Sequence, residues 1–74
     1  MSLHTLTRLK ILNLNDNFIK QLDWSVMFEL PHLEVFTIRN NLLQEFQFID
    51  NWKLSLKTLD ISQNHIKIIK PEIG

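Results

Sequence analysis

The chain has 74 residues, the size of one small domain whose hydrophobic core is only marginally able to stabilise it alone. Hydrophobic residues make up 45% of the sequence and charged residues 22%, and the formal net charge is zero, so nothing indicates nucleic acid or an anionic membrane as a partner. The lack of cysteine excludes disulfides, thiolate zinc sites and a cysteine nucleophile. No apolar run approaches the roughly 18 residues that a membrane-spanning helix needs.

The same apolar pattern recurs around three asparagines, Asn17, Asn41 and Asn64, which are separated by 24 and then 23 residues. Apolar residues occupy the positions three, five and eight before each asparagine, and those two and five after it. These positions hold Leu14, Leu12, Leu9, Ile19 and Leu22, then Ile38, Phe36, Leu33, Leu43 and Phe46, then Ile61, Leu59, Leu56, Ile66 and Ile69. We therefore predict one segment over 1–74, built of repeats at about 6–29, 30–52 and 53–74, with no visible caps.

Each repeat begins with a predicted short strand. In LKILNL, VFTI and TLDI, apolar and polar residues alternate at period two, which is typical of a strand with one buried face. Successive strands follow connections of about 20 residues, which are too long for hairpins, so we expect the strands to stack in parallel.

The segment that follows each strand is expected to return along an opposite apolar wall, in an irregular or short helical form. Asp23 or Ser25 is suited to capping a helical turn there. The predicted wall consists of Ile19, Leu22, Met27 or Phe28, Leu43, Phe46, Phe48 and Trp52. Trp24 and Trp52 are interpreted as packing residues rather than ligand platforms, with Trp24 the more exposed of the two.

The pattern L-x-x-L-x-x-L-x-L-x-x-N-x-I-x-x-L resembles the leucine-rich repeat from Leu6 to about Ile69. The resemblance implies an α/β fold, a right-handed solenoid with a short parallel β-sheet on its concave face. The 24-residue spacing, with Phe28 and Trp52 on the return segments, is most similar to the repeat type common in receptor ectodomains. This similarity favours an extracellular location over a cytoplasmic one.

The three asparagines are interpreted as structural rather than as a binding site. A chain that turns sharply after each strand leaves backbone N–H and C=O groups facing the interior, and an amide side chain supplies both a donor and an acceptor for them. Asn17, Asn41 and Asn64 are therefore predicted to form a ladder between neighbouring turns, as the resemblance also implies.

Candidate partner-binding residues are those that point outward from the strands and differ between repeats. The proposed contact residues are Asn13, Asn15, Asp16, Val35, Thr37, Arg39, Asn40, Thr58, Asp60 and Ser62. Arg39 is central, with Asp16 and Asp60 in the neighbouring repeats. It is suited to pairing with a carboxylate of a partner, and equally to a solvated ion pair with those aspartates across the strands.

No catalytic residue, metal site or cofactor site is predicted, so the chain is not expected to be an enzyme. His4, His32 and His65 lack the spacing of metal ligands, and the only glycine, Gly74, provides no phosphate-binding loop. A shallow open strand face also lacks the pocket that would shift the pKa of Asp16 or Asp60 for catalysis.

Two functions remain open. In the first, the chain is a module of a receptor-like or adaptor array that binds a protein or peptide through its concave face. In the second, it is a structural spacer or a segment of a cytosolic regulatory subunit with no ligand of its own. Because no polar caps are visible, we also expect either continuation into further repeats or end-to-end self-association.

Overall fold

The computed structural model describes residues 8–50 and 52–73. The start of the first predicted repeat at Leu6, and the histidine His4, lie outside the described residues. Within those residues the order of elements is strand, 3₁₀ helix, two strands, a short α-helix and two strands. We use the names first, middle and third repeat for the described parts of the three predicted repeats.

Three short strands form a parallel sheet: β1 (Ile11–Asn13), β2 (Val35–Thr37) and β4 (Thr58–Asp60), in the order β1-β2-β4. The register places Leu12 beside Phe36 and Phe36 beside Leu59. These offsets equal the 24- and 23-residue spacings of the asparagines. The prediction of a short parallel sheet, with one strand from each repeat, is confirmed.

The return segments differ from one another. The first contains a 3₁₀ helix, Trp24–Glu29, whose N-cap is Asp23. The later two contain strands β3 (Glu45–Ile49) and β5 (Ile68–Ile73), which pair in parallel as a second sheet, and helix α1 (Trp52–Ser55) follows β3. The predicted helical cap is thus present, but the expectation that the return segments are only irregular or helical is wrong.

The physical reason lies in pairing between repeats. Phe46, Ile49 and Ile69 belong to residue types that favour strands, and two extended segments at the same repeat position can satisfy each other's backbone groups. In the first repeat, the carboxylate of Asp23 instead accepts hydrogen bonds from the backbone and hydroxyl of Ser25, which starts the helix.

The core lies between the two sheets and belongs mainly to the middle repeat. Its fully buried residues come from both walls: Met27, Leu30, Leu33, Phe36, Ile38, Leu43, Phe46, Ile49 and Trp52. Trp24 is half-buried, and its ring packs edge-on against Phe36, Phe46 and Trp52. Both tryptophans are therefore packing residues, and Trp24 is the more exposed one, as expected.

The structure corrects one predicted wall residue, Phe48, and decides between the alternatives Met27 and Phe28. Phe48 is 44% exposed, so it lies at the edge of the wall, where its ring packs edge-on against Phe46 at 4.9 Å between centroids. The pairing of β3 with β5 is irregular between Gln47 and Ile49, so the alternation of faces breaks there: Phe48 is exposed and Ile49 is buried in its place. Of the pair Met27 and Phe28, the buried residue is Met27, whereas Phe28 is 38% exposed.

Candidate protein-binding face

The outer strand face consists of the side chains that β1, β2 and β4 point away from the core, together with the residues that follow each strand. The register sets Ile11, Val35 and Thr58 in one row and Asn13, Thr37 and Asp60 in the next. The proposed contact residues that lie on strands are thus brought side by side, because parallel strands with equal register align equivalent residues.

Arg39 contacts one of its two aspartate neighbours. Its Nε lies 3.5 Å from Oδ2 of Asp60, and both side chains are largely solvent-accessible. Asp16 instead accepts a hydrogen bond from the Asn40 amide at 3.0 Å. An exposed ion pair of this kind contributes little to folding, roughly 0 to 1 kcal/mol for pairs in general, so the guanidinium remains accessible for other contacts.

Side-chain hydrogen bonds hold the turns after the strands. The Asn13 oxygen accepts from the backbone N–H of Asn15 at 2.9 Å, and Asp60 accepts from the backbone N–H and hydroxyl of Ser62 at 3.0 and 2.6 Å. The Asn15 oxygen in turn accepts from the backbone N–H of Arg39 at 2.7 Å. These hydrogen bonds within the chain therefore hold the polar residues of the face in defined positions.

The hydrogen bonds of Asp60 also affect its ionisation. The hydroxyl and backbone N–H of Ser62 donate to the carboxylate and, with a smaller contribution from Arg39, lower the pKa of Asp60 below its ordinary value. The carboxyl group thus stays charged at neutral pH.

One residue in each turn has a positive φ angle: Asp16 at 60°, Asn40 at 54° and Gln63 at 55°. The left-handed region costs most residues about 1 kcal/mol or more, and aspartate and asparagine tolerate it best. Each of these residues immediately precedes one of the three asparagines. The bend therefore turns the chain out of the strand, and the asparagine that follows donates from its amide nitrogen to the carbonyl three residues before it in every repeat.

The asparagine side chains make unequal contacts. Asn41 is 3% exposed; its amide nitrogen donates to the carbonyl of Leu14 at 2.9 Å, and its oxygen accepts from the backbone N–H of Ile19 at 3.1 Å. Asn64 makes the equivalent pair of bonds with Ile38 and Leu43. Asn17 is exposed, and its amide nitrogen donates to carbonyl groups of its own turn.

An exposed aromatic residue, Phe18, follows the turn after β1 and is absent from the predicted contact set. Its side chain is 87% exposed, and Ile11 on the nearby strand is 63% exposed. The signal was available in the sequence: Phe18, Leu42 and His65 follow the three asparagines and differ in chemistry, as the outward strand positions do. Exposed aromatic residues are common anchors at protein interfaces.

Two shallow clefts lie away from the outer strand face. One, of about 430 Å³, separates the first two return segments and has Trp24 and Leu43 in its lining. The other, of about 390 Å³, lies near Lys10, Glu34 and Lys57, where Lys57 and Glu34 form an ion pair at 3.3 Å. Within residues 8–50 and 52–73, no group of three histidine or acidic side chains is arranged to hold a metal ion.

The helices in the described part of the chain are too short, and not apolar enough, to cross a membrane. What the described residues provide is a repeated strand-and-turn unit with an ordered polar face. This arrangement defines a repeat protein of the class that stacks equivalent strands in register.

The sequence profile of the leucine rich repeat matches residues 7–66. The chain belongs to the leucine-rich repeat family, whose domains generally mediate protein–protein interaction. Comparison with curated proteins and with solved structures finds no match.

Proposed function

We propose that this chain is a protein-binding module that holds a protein or peptide on the outer strand face, the concave face of a solenoid. Arg39, at the centre of the face, pairs with a carboxylate of the partner, and Asp60 receives a cationic group. The surrounding polar residues Asn13, Asn15 and Thr37 provide donors and acceptors for the partner's backbone.

The observation that carries the proposal is the hydrogen-bonded order of an exposed polar surface. The backbone bonds of Asn15 and Ser62 fix both flanks of Arg39, so that the face loses little conformational freedom on binding. A spacer would not require its outward strand residues to differ between repeats, and here they differ in all three repeats.

The ion pair between Arg39 and Asp60 is compatible with this role. At 3.5 Å and with high exposure, the pair is weak enough to exchange its internal contact for contacts with a partner. Arginine makes bidentate contacts with carboxylates and is enriched among the residues that dominate interface energetics.

The test begins with panning a displayed peptide library against the immobilised chain and measuring the affinity of a selected peptide by calorimetry. The double variant Arg39→Gln/Asp60→Asn is then compared with the native chain. Asparagine at position 60 keeps the oxygen that accepts from Ser62, so the turn persists and only the two charges are lost. We expect the affinity to fall about tenfold or more.

A matched control exists on the return side, where Lys70 and Glu45 form a cross-strand ion pair at 3.2 Å with similar exposure. The variant Glu45→Gln/Lys70→Gln should bind the peptide as the native chain does. Equal losses in both variants, or amide chemical-shift changes away from residues 13–16, 35–40 and 58–62 on peptide addition, would refute the proposed face.

The alternative is a structural spacer within a longer array. The buried asparagine contacts and the half-buried apolar rows of the outer repeats favour it, since they are features of stacking and not of recognition. It predicts that selected peptides bind elsewhere or not at all. The similarity to the ectodomain repeat type supports a receptor-like protein outside the cell for the binding role, whereas the alternative includes a segment of a cytosolic regulatory subunit. Mapping the flanking sequence for disulfide-bearing caps distinguishes the two.

A further inference from the structure

A cleft of about 390 Å³ lies where the strands of the three-stranded sheet begin, away from the outer strand face. Lys10, Glu34 and Lys57 directly precede β1, β2 and β4, and backbone hydrogen bonds hold them in one row. The carbonyl of Lys10 accepts from the N–H of Glu34 at 2.8 Å, and the carbonyl of Glu34 accepts from the N–H of Lys57 at 2.7 Å. We call this site the basic cleft; its lining consists of Lys10, His32, Glu34, Leu54, Ser55 and Lys57.

The charges of the basic cleft favour an anion. Two lysines stand against one glutamate, so the lining is positively charged even when His32 is neutral. The Nζ of Lys57 lies 3.3 Å from Oε1 of Glu34, but the lysine side chain is 76% exposed, and an ion pair in water is weak enough to exchange. Lys10 forms no ion pair with any residue in the described part of the chain. Both ammonium groups are therefore available to a ligand.

The hydroxyl of Ser55 is a second and independent feature of the basic cleft. Its Oγ is buried and has no hydrogen-bond partner among the described residues, whereas the hydroxyls of Ser25 and Ser62 both donate to aspartate carboxylates at 2.6 Å. A buried hydroxyl without a partner is costly, and native proteins satisfy most such groups. Ser55 ends α1 and lines the cleft, so rotation about its Cα–Cβ bond can turn the hydroxyl toward a ligand. A ligand there supplies the partner that the chain lacks.

We propose that the basic cleft binds a phosphate monoester. Lys10, Lys57 and Ser55 supply three donor groups, which matches the three terminal oxygens of the ester, whereas a carboxylate offers only two oxygens. Lys57 exchanges its contact with Glu34 for a contact with the phosphate. The organic part of the ester lies against Leu54, whose side chain lines the cleft and is 93% exposed.

Glu34 limits the strength of this site. Its carboxylate repels the phosphate and competes with it for Lys57, so repulsion partly cancels the attraction of the two lysines. Binding should therefore be weak, and it should weaken further as salt screens the lysines. The inference goes beyond the protein-binding role and does not depend on it, because the outer strand face and the basic cleft share no residue.

The test follows amide chemical shifts of the full chain by NMR at low salt as phenyl phosphate is added. Shifts should change at Lys10, Glu34, Ser55 and Lys57. Lys10→Gln and Lys57→Gln should each weaken binding about threefold to tenfold, since each removes one charge-assisted hydrogen bond. Lys70→Gln is the matched control and should bind as the native chain does, because it removes the same charge from an ion pair of 3.2 Å on the return side.

Two further variants should change the affinity in opposite directions. Glu34→Gln should tighten binding about threefold, because it removes a repulsion and releases Lys57. Ser55→Ala should weaken binding about threefold while the free energy of unfolding, measured in urea without phosphate, stays the same or rises, since the hydroxyl has no partner in the free chain. A hydroxyl with only a structural role would give the reverse, a loss of stability with unchanged affinity.

Two other ligands define the chemical class, and circular dichroism establishes that each variant is folded. Benzoate, which carries a carboxylate on the same ring, should bind more weakly than phenyl phosphate. N-acetyl-phosphoserine amide supports a phosphorylated peptide as the source if it binds more tightly than phenyl phosphate, and a small-molecule ester if it binds less tightly. Unchanged shifts with phenyl phosphate would overturn the proposal, as would equal binding of benzoate, equal losses in Lys10→Gln and Lys70→Gln, or no gain in Glu34→Gln.

Discussion

The middle repeat and the outer repeats share one sequence pattern but differ in burial. Leu33 is 0% exposed and Asn41 is 3% exposed, whereas their equivalents in the first repeat, Leu9 and Asn17, are half-buried and exposed respectively. The residue types are the same at these positions. What differs is the number of neighbours, since only the middle repeat is covered on both sides by described repeats. Burial in a stacked fold is therefore a property of position as well as of sequence.

Leucine truncation should show the largest difference between the repeats. Leu33→Ala removes a fully buried side chain and leaves a cavity, so we expect a loss of about 3 kcal/mol in the free energy of unfolding. Leu9→Ala, the same change at the equivalent position, should cost roughly half of that because Leu9 is already partly in contact with water. Urea denaturation followed by circular dichroism gives both values.

A 74-residue chain has a small total stability, so Leu33→Ala can leave it unfolded in buffer. Titration with a stabilising osmolyte such as trimethylamine N-oxide then recovers the transition. Equal losses for Leu9→Ala and Leu33→Ala would mean that the first repeat is as well covered as the middle one, contrary to the exposures above.

The asparagines should show the next largest difference. Asn41→Ala leaves the Ile19 N–H without its acceptor, while the Leu14 carbonyl keeps the hydrogen bond from Asn17. The loss should cost about 1 to 3 kcal/mol because an unpaired buried polar group is expensive. Asn17→Ala removes hydrogen bonds from exposed carbonyl groups that water can replace, and should cost roughly 1 kcal/mol or less.

Hydrogen exchange provides a local measurement for this pair of variants. The amide of Ile19 should exchange faster in Asn41→Ala than in the native chain, and Asn17→Ala should leave that amide almost unchanged. Comparable losses of stability in the two variants would contradict the structural difference between the asparagines.

A smaller effect is expected from the bend of the third repeat. Gln63 has a φ angle of 55° at a position where the other repeats have Asp16 and Asn40. Gln63→Asn should stabilise the chain by about 0.5 kcal/mol, because asparagine tolerates the left-handed region better. Gln63→Ala is the control: it shortens the side chain but keeps the backbone cost. Stabilisation by alanine as large as that by asparagine would show that the φ angle is not the cause.

The smallest effect concerns pH and again lies in the outer repeats. Hydrogen bonds from the hydroxyl and backbone N–H of Ser25 lower the pKa of Asp23, and those from Ser62 lower the pKa of Asp60. The unfolded chain, whose carboxyl groups have the ordinary pKa of 3.8, binds protons first as the pH falls. Stability is therefore fully present above that value and is lost as the pH falls through the lower pKa values of the folded state.

The measurement is the urea midpoint at pH 6 and at pH 3 in the native chain and in Asp23→Asn/Asp60→Asn. The double variant should lose less stability between the two pH values, because its side chains at these positions do not titrate. An unchanged difference between the two midpoints would show that these aspartates do not contribute to the acid sensitivity.

Sequence reasoning predicted the sheet of β1, β2 and β4 well, because the alternation of apolar and polar residues is visible within each strand and recurs in every repeat. The period-two alternation in TLDI and the spacing of the asparagines suffice to align Leu12, Phe36 and Leu59 in one row of the sheet, with Phe36 in the middle. The same reasoning missed the second sheet, since β3 and β5 form only through pairing between repeats, which no local pattern encodes. It also missed Phe18, because the apolar character of a single residue next to a repeated turn predicts burial as readily as exposure, and only the comparison with Leu42 and His65 indicates an outward position.

The outer strand face also shows both what the sequence predicts and what it does not. Which residues point outward follows from alternation along the strands, and the sequence alone determined it. Which of them contact each other depended on side-chain geometry: Arg39 pairs with Asp60, while Asp16 accepts from Asn40. The charges in sequence were symmetric around Arg39, and only the hydrogen bonds of the turns separated the two aspartates.

The sequence by itself determined the repeat, the parallel strands and the bridging contacts of Asn41 and Asn64, because these follow from the spacing of apolar and amide residues. The tertiary structure decided how deeply each repeated residue is buried and whether a return segment becomes helix or strand. Both depend on what lies beside a repeat, and neighbours about 24 residues away in sequence reach it only through the fold.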